Sequence, residues 1–415
     1  MDRTPITIAG QRWGQAHPLE SLAAQTDASA AGLARAASLY VHVPFCLHKC
    51  HYCDFYSLVD TQDRQEAFTD RLIEELTALA PFADRLETVY VGGGTPTLLR
   101  ADLWRRLLAA LHDRMPVAPE AEFTVECNPE TASAELMDVL AAGGVNRISV
   151  GAQSFHRRHL ETLQRLHNPD NVARALELAR RAGIGRQSVD LILAIPGQRL
   201  EEWAQDLDCA LSLGVEHLSC YALTYEPNTA LTARLRLGQV QPVDEDLEAD
   251  MLELTVRRLR SAGLDRYEVS NFARPGRACR HNLAYWRQQP WLAAGPSASG
   301  HLAGWRWKNT PRLDTYLHGF RGAGLAPVVD VEPPDPRRAL AERIMTGLRL
   351  AEGLAIDPLL TDAAELDEGL PERLRERAEL AEARGQLVQR QGRWCLTDAG
   401  MLLADGIAAE WMATI

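Results

Sequence analysis

The sequence of 415 residues lacks several things that would have fixed its class at once. No run of about 18 apolar residues occurs, so no helix is expected to span a bilayer. Basic residues do not dominate: 44 Lys and Arg stand against 56 Asp and Glu, a formal charge of −12. A general phosphate-neutralising surface is therefore not expected, and no nucleic-acid partner is assigned. The first 38 residues, with Asp2, Arg3, Arg12, Glu20, Asp27 and Arg35, have no apolar segment of the kind a secretory signal needs. Eight cysteines are too few for a disulfide scaffold in a chain of this length, so a reducing, cytoplasmic setting is expected. No Gly-Lys-Ser/Thr occurs, which excludes a phosphate-binding P-loop.

What is present is ordinary globular composition, 46% hydrophobic and 24% charged, and enough length for two or three domains. Residues 1–38 are rich in Ala, Gln, Ser and Thr without a period and read as a disordered tail. Six strand candidates follow: Leu39–Val43, Leu86–Val91, Glu122–Glu126, Arg147–Val150, Ser188–Leu193 and His217–Tyr221. Between them, helical spacing of apolar residues marks Gln62–Leu79, Leu103–His112, Ala134–Ala142, Val172–Ala182 and Leu200–Leu213. Strand and helix in alternation predict parallel βα units with right-handed crossovers. Periodicity alone leaves an open doubly wound sheet and a partly closed barrel equally open. In either, ligand chemistry belongs at the carboxyl ends of the strands.

A helix over Asp244–Ala262 closes this α/β region, taken as 39–262. A middle region, 263–330, is dense in Gly, Pro, Arg and Trp, and Val331–Pro336 with its paired prolines reads as a linker. Residues 337–415 carry helices at Arg337–Leu348 and Leu370–Arg384, a hairpin over Gln386–Leu396, and a terminal helix from Asp398. That order predicts a winged-helix-like α+β appendage.

The densest chemical signal follows the first strand: Cys46-Leu-His-Lys-Cys50-His-Tyr-Cys53. Three thiols at this spacing suit a 4Fe–4S cube whose fourth iron stays open to a ligand. A zinc site recruiting His42, His48 or His51 is the competing reading. Cys127, Cys209, Cys220, Cys279 and Cys395 are isolated, and core packing is their default. The second strand runs into Gly92-Gly93-Gly94-Thr95-Pro96, which would let backbone groups approach a ligand, or simply form a tight turn. Glu126, Gln153 and Asp190 stand at later strand ends. Singly each reads as a satisfied core or cap group; together they suggest a polar pocket beside the cysteine loop. A carboxylate suits ribose hydroxyls, and Arg165 suits a ligand carboxylate.

The cysteine spacing followed by Gly-Gly-Gly-Thr-Pro resembles the radical S-adenosylmethionine superfamily. His42-Val-Pro-Phe-Cys46 with Tyr52-Cys53-Asp54-Phe55 is similar to its coproporphyrinogen III oxidase-like branch. The resemblance implies a partial (β/α)6 barrel, with Cys46, Cys50 and Cys53 as ligands of a 4Fe–4S cluster. It implies S-adenosylmethionine contacts at Tyr40, Gly93, Gly94, Thr95, Glu126, Gln153, Arg165 and Asp190. It also implies reductive cleavage of the sulfonium C–S bond to a 5′-deoxyadenosyl radical, chemistry belonging to the cofactor.

Two functions divide this branch. Its oxygen-independent coproporphyrinogen oxidases, which decarboxylate propionates, carry a further cysteine two residues after the third; this sequence has Phe55. Arg280-His281-Asn282-Leu-Ala-Tyr285-Trp286 is similar to the H-N-x-x-Y-W motif of the heme chaperones. The resemblance therefore implies heme at His281, transfer to recipient hemoproteins, and an electron donor, with coproporphyrinogen oxidation as the alternative. By chemistry alone His281 could equally bond backbone while the aromatics fill core. Arg274, Arg277, Arg280 and Arg287 could pair with propionates or form a solvated basic face. The stretch Ala293-Ala294-Gly295-Pro296-Ser297-Ala298-Ser299-Gly300 departs from the branch's glycine-rich pattern.

Overall fold

A computed structural model of the protein describes residues 7–8, 11–12, 15–25, 33–319 and 324–415. The chain builds β1 (Ala36–Val43), α1 (Gln65–Leu79), β2 (Ala83–Gly93), α2 (Ala101–Arg114), β3 (Val117–Cys127) and α3 (Ala134–Ala142). It continues through β4 (Arg147–Gln153), α4 (Arg157–Leu163), α5 (Asp170–Arg181), β5 (Arg186–Leu193), α6 (Leu200–Ser212) and β6 (His217–Ala222). Strands β1 to β6 pair in parallel and in chain order. Beyond α7 (Ala230–Arg236) and α8 (Glu245–Ser261), the short strands β7 (Asp265–Glu268) and β8 (Asn271–Ala273) extend the sheet, β8 antiparallel to β6 and β7 antiparallel to β8. After α9 (Arg280–Trp286), β9 (Leu292–Ala294) joins the opposite edge, parallel to β1. The nine strands run β9-β1-β2-β3-β4-β5-β6-β8-β7 and leave β9 and β7 unpaired with each other, so the barrel is partial.

The period of two explains the layers. Leu39, Val41, Val43, Val89, Val91, Phe123, Val125, Ile148, Val150, Val189 and Leu191 are buried beneath the helices. The alternate positions Tyr40, His42, Tyr90, Glu126, Arg147, Ser149 and Asp190 line a lumen. Helix α2 turns Leu103, Trp104, Leu107, Leu108 and Leu111 onto the sheet, the spacing of one helical face. Ser133 caps α3 by accepting from Leu136 N at 3.2 Å.

A second layer follows: β10 (Ser299–Leu302), β11 (Trp305–Asn309), α10 (Leu313–His318) and β12 (Val328–Glu332), the strands forming one antiparallel sheet. Glu75 of α1 ties this layer to the barrel. Its buried carboxylate accepts from Gly295 N at 2.9 Å, Asn309 Nδ2 at 2.7 Å and Tyr316 OH at 2.6 Å. The last 80 residues hold α11 (Pro336–Gly347), β13 (Leu354–Ala355), α12 (Ile356–Leu366), α13 (Leu370–Ala383), β14 (Leu387–Arg390), β15 (Arg393–Leu396), α14 (Asp398–Leu402) and α15 (Ala404–Met412). A three-stranded sheet and these helices enclose a hydrophobic cluster of their own, the winged-helix-like arrangement.

Three expectations need correction. Pro18–Gln25, read as part of a disordered tail, is a helix. Leu19 is buried in the barrel's core and His17 packs on Trp307 at 5.2 Å, so apolar burial orders what composition left featureless. Residues 1–6, 9–10, 13–14 and 26–32 of that tail lie outside the described residues. The supposed linker begins as strand, because Val331 and Glu332 end β12, and Val331 N donates to Gln15 Oε1 at 3.0 Å. Cys209 is exposed rather than core. No helix among the described residues is long and apolar enough to cross a membrane.

Candidate functional site

The cysteine loop leaves β1 at Pro44 and is closed at its base. Cys46 N donates to Leu58 O at 2.9 Å and Leu58 N to Pro44 O at 2.8 Å. Lys49 Nζ braces the interior through Phe55 O at 2.5 Å and Ser57 Oγ at 3.1 Å. Cys46, Cys50 and Cys53 are partly exposed free thiols. Cys46 Sγ lies 3.5 Å from Thr95 Oγ1, and Arg165 Nη1 donates to Cys50 Sγ at 3.8 Å.

Of the three histidines that could join the thiols, His48 Nε2 and His51 Nδ1 are buried without a partner. His42 is committed elsewhere: Nε2 meets Tyr56 O at 2.8 Å and Nδ1 meets Tyr40 OH at 3.1 Å. Among the described residues no three His, Cys, Asp or Glu side chains converge as one zinc ion requires. Three thiols on one loop are the donor set that a 4Fe–4S cluster takes.

Beside the loop, the strand ends form a shelf. Glu126 Oε1 accepts from Tyr90 OH at 2.8 Å and Oε2 from Gly93 N at 3.1 Å. Asp190 accepts from Ser149 Oγ at 3.1 Å. Arg165 Nη2 donates to Gly151 O at 3.1 Å while its buried Nε has no partner. Gly93 has φ +113, and a Cβ on Gly94 would stand 2.7 Å from Phe45 O, so the turn needs glycine at both. Burial, reinforced by Asp190, pushes the Glu126 carboxyl up to about 7 against its hydrogen bonds.

All eight residues expected to contact S-adenosylmethionine line one cavity with Cys53, about 780 Å³ in volume. The structure thus brings together Tyr40, Gly93, Gly94, Thr95, Glu126, Gln153, Arg165 and Asp190. The shelf, its unpartnered Arg165 Nε and its close glycine backbone fit a ligand bearing a carboxylate and hydroxyls.

The same cavity descends to His281, 2% exposed on α9. The ring stacks on Tyr90 with centroids 5.3 Å apart and meets Tyr285 edge-on at 4.7 Å. Thr88 Oγ1 donates to Ser38 Oγ at 2.9 Å and lies 2.8 Å from His281 Nδ1, so it accepts the proton of Nδ1. Nε2 is left with a lone pair and no partner. Burial pulls the imidazole pKa down to about 3, so the ring is neutral. Trp286, expected beside the heme, does not line the cavity, whereas Tyr285 and Trp291 do.

The basic residues expected to meet propionates are spent elsewhere. Arg277 pairs with Glu216 at 3.2 Å, Arg280 with Glu87 at 3.1 Å and Arg287 with Glu352 at 2.9 Å. With Arg274, they lie outside the cavity lining. Arg147, His217 and Tyr267, which do line it, escaped notice. The polar alternation Arg147, Ser149, Gly151, Gln153 along β4 was the signal that pointed to the first.

Comparison with known proteins now adds the lineage. Residues 40–210 match the radical SAM superfamily and residues 335–403 the HemN C-terminal domain. The chain is 40% identical to the heme chaperone HemW of Mycobacterium tuberculosis over 375 residues, 89% of this chain and 93% of that protein. It belongs to the HemW family. HemW of Escherichia coli is 34% identical across 91% of this chain and 98% of its own length. Coproporphyrinogen III oxidase (HemN) of Escherichia coli shares the fold, with a TM-score of 0.78 over 92% of this chain and 91% of that one, at 23% identity. The HemW likeness spans barrel and appendage alike, and the fold expected from the resemblance is the fold observed.

Proposed function

We propose that this HemW-family protein is a heme chaperone: it binds heme in the barrel lumen, on His281, and passes it to recipient hemoproteins in the cytoplasm. The observation that carries this reading is His281 Nε2, a buried, neutral and unpartnered imidazole nitrogen facing a cavity of about 780 Å³. A fixed tautomer with a bare Nε2 is what axial ligation of iron asks of a histidine. Tyr285 and Trp291, whose rings lie 4.5 Å apart and inclined at 54°, offer aromatic surface on which one face of the macrocycle would pack.

At the other end, Cys46, Cys50 and Cys53 would hold a 4Fe–4S cluster. Glu126 and Asp190 would accept from ribose hydroxyls of S-adenosylmethionine, and Arg165 would receive its carboxylate. Bound there, the pair supplies one-electron cleavage of the sulfonium C–S bond, for which an electron donor is required. The chain's own work is positional: Gly93 and Gly94 admit the ligand close to backbone, and the hydrogen-bonded base of the cysteine loop keeps the thiols at the mouth. Phe55, 64% exposed where the decarboxylating oxidases carry a further cysteine, weighs against that alternative.

The deciding experiment is an anaerobic heme titration of cluster-loaded wild type and His281→Ala, followed by absorption. A saturable Soret shift that weakens in the variant is expected. No saturable binding by the wild type, or conversion of coproporphyrinogen III by the reduced protein, would overturn the reading.

A further inference from the structure

Arg147 enters the lumen from β4, level with Thr124 of β3 and with Arg186 of β5. It is 3% exposed, and that exposure is to the cavity. Its guanidinium forms no hydrogen bond or ion pair with the described residues, although Cys279, Glu122, Tyr90 and Tyr267 surround it. The carboxylate at its own level of the lumen, Glu122, is already engaged, and Asp190 and Glu126 act on it electrostatically from the strand positions above without bonding to it. Glu122 holds Arg186 Nη1 at 2.8 Å and accepts from His281 N at 3.1 Å and Cys279 Sγ at 3.4 Å. His217 sits between Ser188 Oγ at 2.7 Å and Tyr267 OH at 2.9 Å, and burial drives it neutral. Two guanidinium groups therefore share Glu122, and Arg147 has no directly bonded carboxylate among the described residues. A guanidinium buried on every side but the one facing a ligand-sized cavity, with no direct partner there, is suited to an anion entering that cavity.

We infer that Arg147 is the receptor for a carboxylate of the tetrapyrrole whose iron rests on His281. This rests on the heme reading above and specifies how the lumen would orient its cargo, iron to the imidazole and one propionate to the guanidinium fork. The carboxylate of S-adenosylmethionine is the other source of the same chemistry. Its receptor stands elsewhere: Arg165 lies against Cys50, whereas Arg147 lies one inward step below Ser149, toward His281. Arg147 is also close enough to act electrostatically on the His281 ring.

The test compares heme with heme dimethyl ester, in which both propionates are methylated, on cluster-loaded wild type, Arg147→Gln and Arg147→Lys. In the wild type, esterification is expected to weaken binding about tenfold, the scale of a charge-assisted pair. In Arg147→Gln the two ligands are expected to differ less than about twofold, with the imidazole-ligated Soret band retained. Arg147→Lys keeps the charge without the fork, and most of the ester penalty is expected to survive in it; this variant serves if Arg147→Gln fails to fold by circular dichroism. An equal penalty in wild type and Arg147→Gln, or none in the wild type, overturns the assignment. So does a loss of S-adenosylmethionine affinity in Arg147→Gln with the ester penalty unchanged, which would give the guanidinium to the other carboxylate. If the wild type binds neither tetrapyrrole, the chaperone reading itself falls; if it binds both alike, only this inference does.

Discussion

The ring of His281 would offer a metal its Nε2 lone pair because a hydroxyl on β2 holds the proton on Nδ1. Thr88 gives its own hydrogen to Ser38 and so can only accept from Nδ1. Thr88→Val should keep the fold and weaken heme binding about tenfold or more, as loss of a partner behind a ligating histidine does; optical titration reads it. Glu126 carries the residue-scale pH dependence. Its folded value of about 7 stands above the ordinary 4.5, so the native state holds the proton more tightly. The associated stability is complete below 4.5 and is lost as pH rises through 7. Glu126→Gln should therefore melt above the wild type well above pH 7 and lose that advantage near 4.5, in ligand-free protein, while S-adenosylmethionine binding declines. At this scale the sequence marked His281 and Glu126 as residue types in suggestive places. It did not mark Thr88 or Arg147, because neither type implies a role until its neighbours are known.

Among elements, the cysteine loop and the glycine turn constrain each other. A methyl group on Gly94 would strike Phe45 O at 2.7 Å and Pro44 C at 2.9 Å, the start of the loop. Gly94→Ala should cost about 1–3 kcal/mol in denaturant unfolding, the usual range for overpacking, and lower the iron content of anaerobically purified protein. The six parallel strands and their crossover helices were legible because each is long enough to show a period. Helices α4 and α9, of seven residues each, were not. Less than two full turns gives too few repeats for a pattern to emerge. Strands β7, β8 and β9, of three or four residues, failed for the same reason.

For the molecule as a whole, residues far apart in sequence hold the open side of the barrel. Leu19 belongs to the main hydrophobic cluster although it stands in a stretch that composition made featureless. Leu19→Ala should cost about 2–5 kcal/mol, as large-to-small changes in a core do, measured by chemical denaturation. Glu75→Ala would strand the buried donors Gly295 N and Tyr316 OH, leaving Asn309 Nδ2 only Gly295 O, and each orphan costs about 1–3 kcal/mol. A large fall in melting temperature, with the middle layer opening first in hydrogen exchange, is expected. The seam to the appendage is different in kind. Arg260 and Arg266 meet Asp398 on a surface where the carboxylate is half exposed. Asp398→Asn should cost under about 1 kcal/mol, and less in high salt.

The sequence by itself determined the βα alternation, the spacing of the three loop cysteines and the polar strand ends, since these are local: a period of two or 3.6, a spacing of a few residues, a glycine run. Only the tertiary structure decided which polar residues share a lumen and which are spent on the surface. Four arginines near the heme motif were equally eligible by sequence, and three pair with glutamates outside the cavity. Arg147, in a different element, faces the cavity beside His281. Thr88 and His281 stand 193 residues apart in the chain and 2.8 Å apart in space. Packing of α9 against β2 and β3 joins them. That packing follows from burying apolar area over the whole chain, a sum no local window contains.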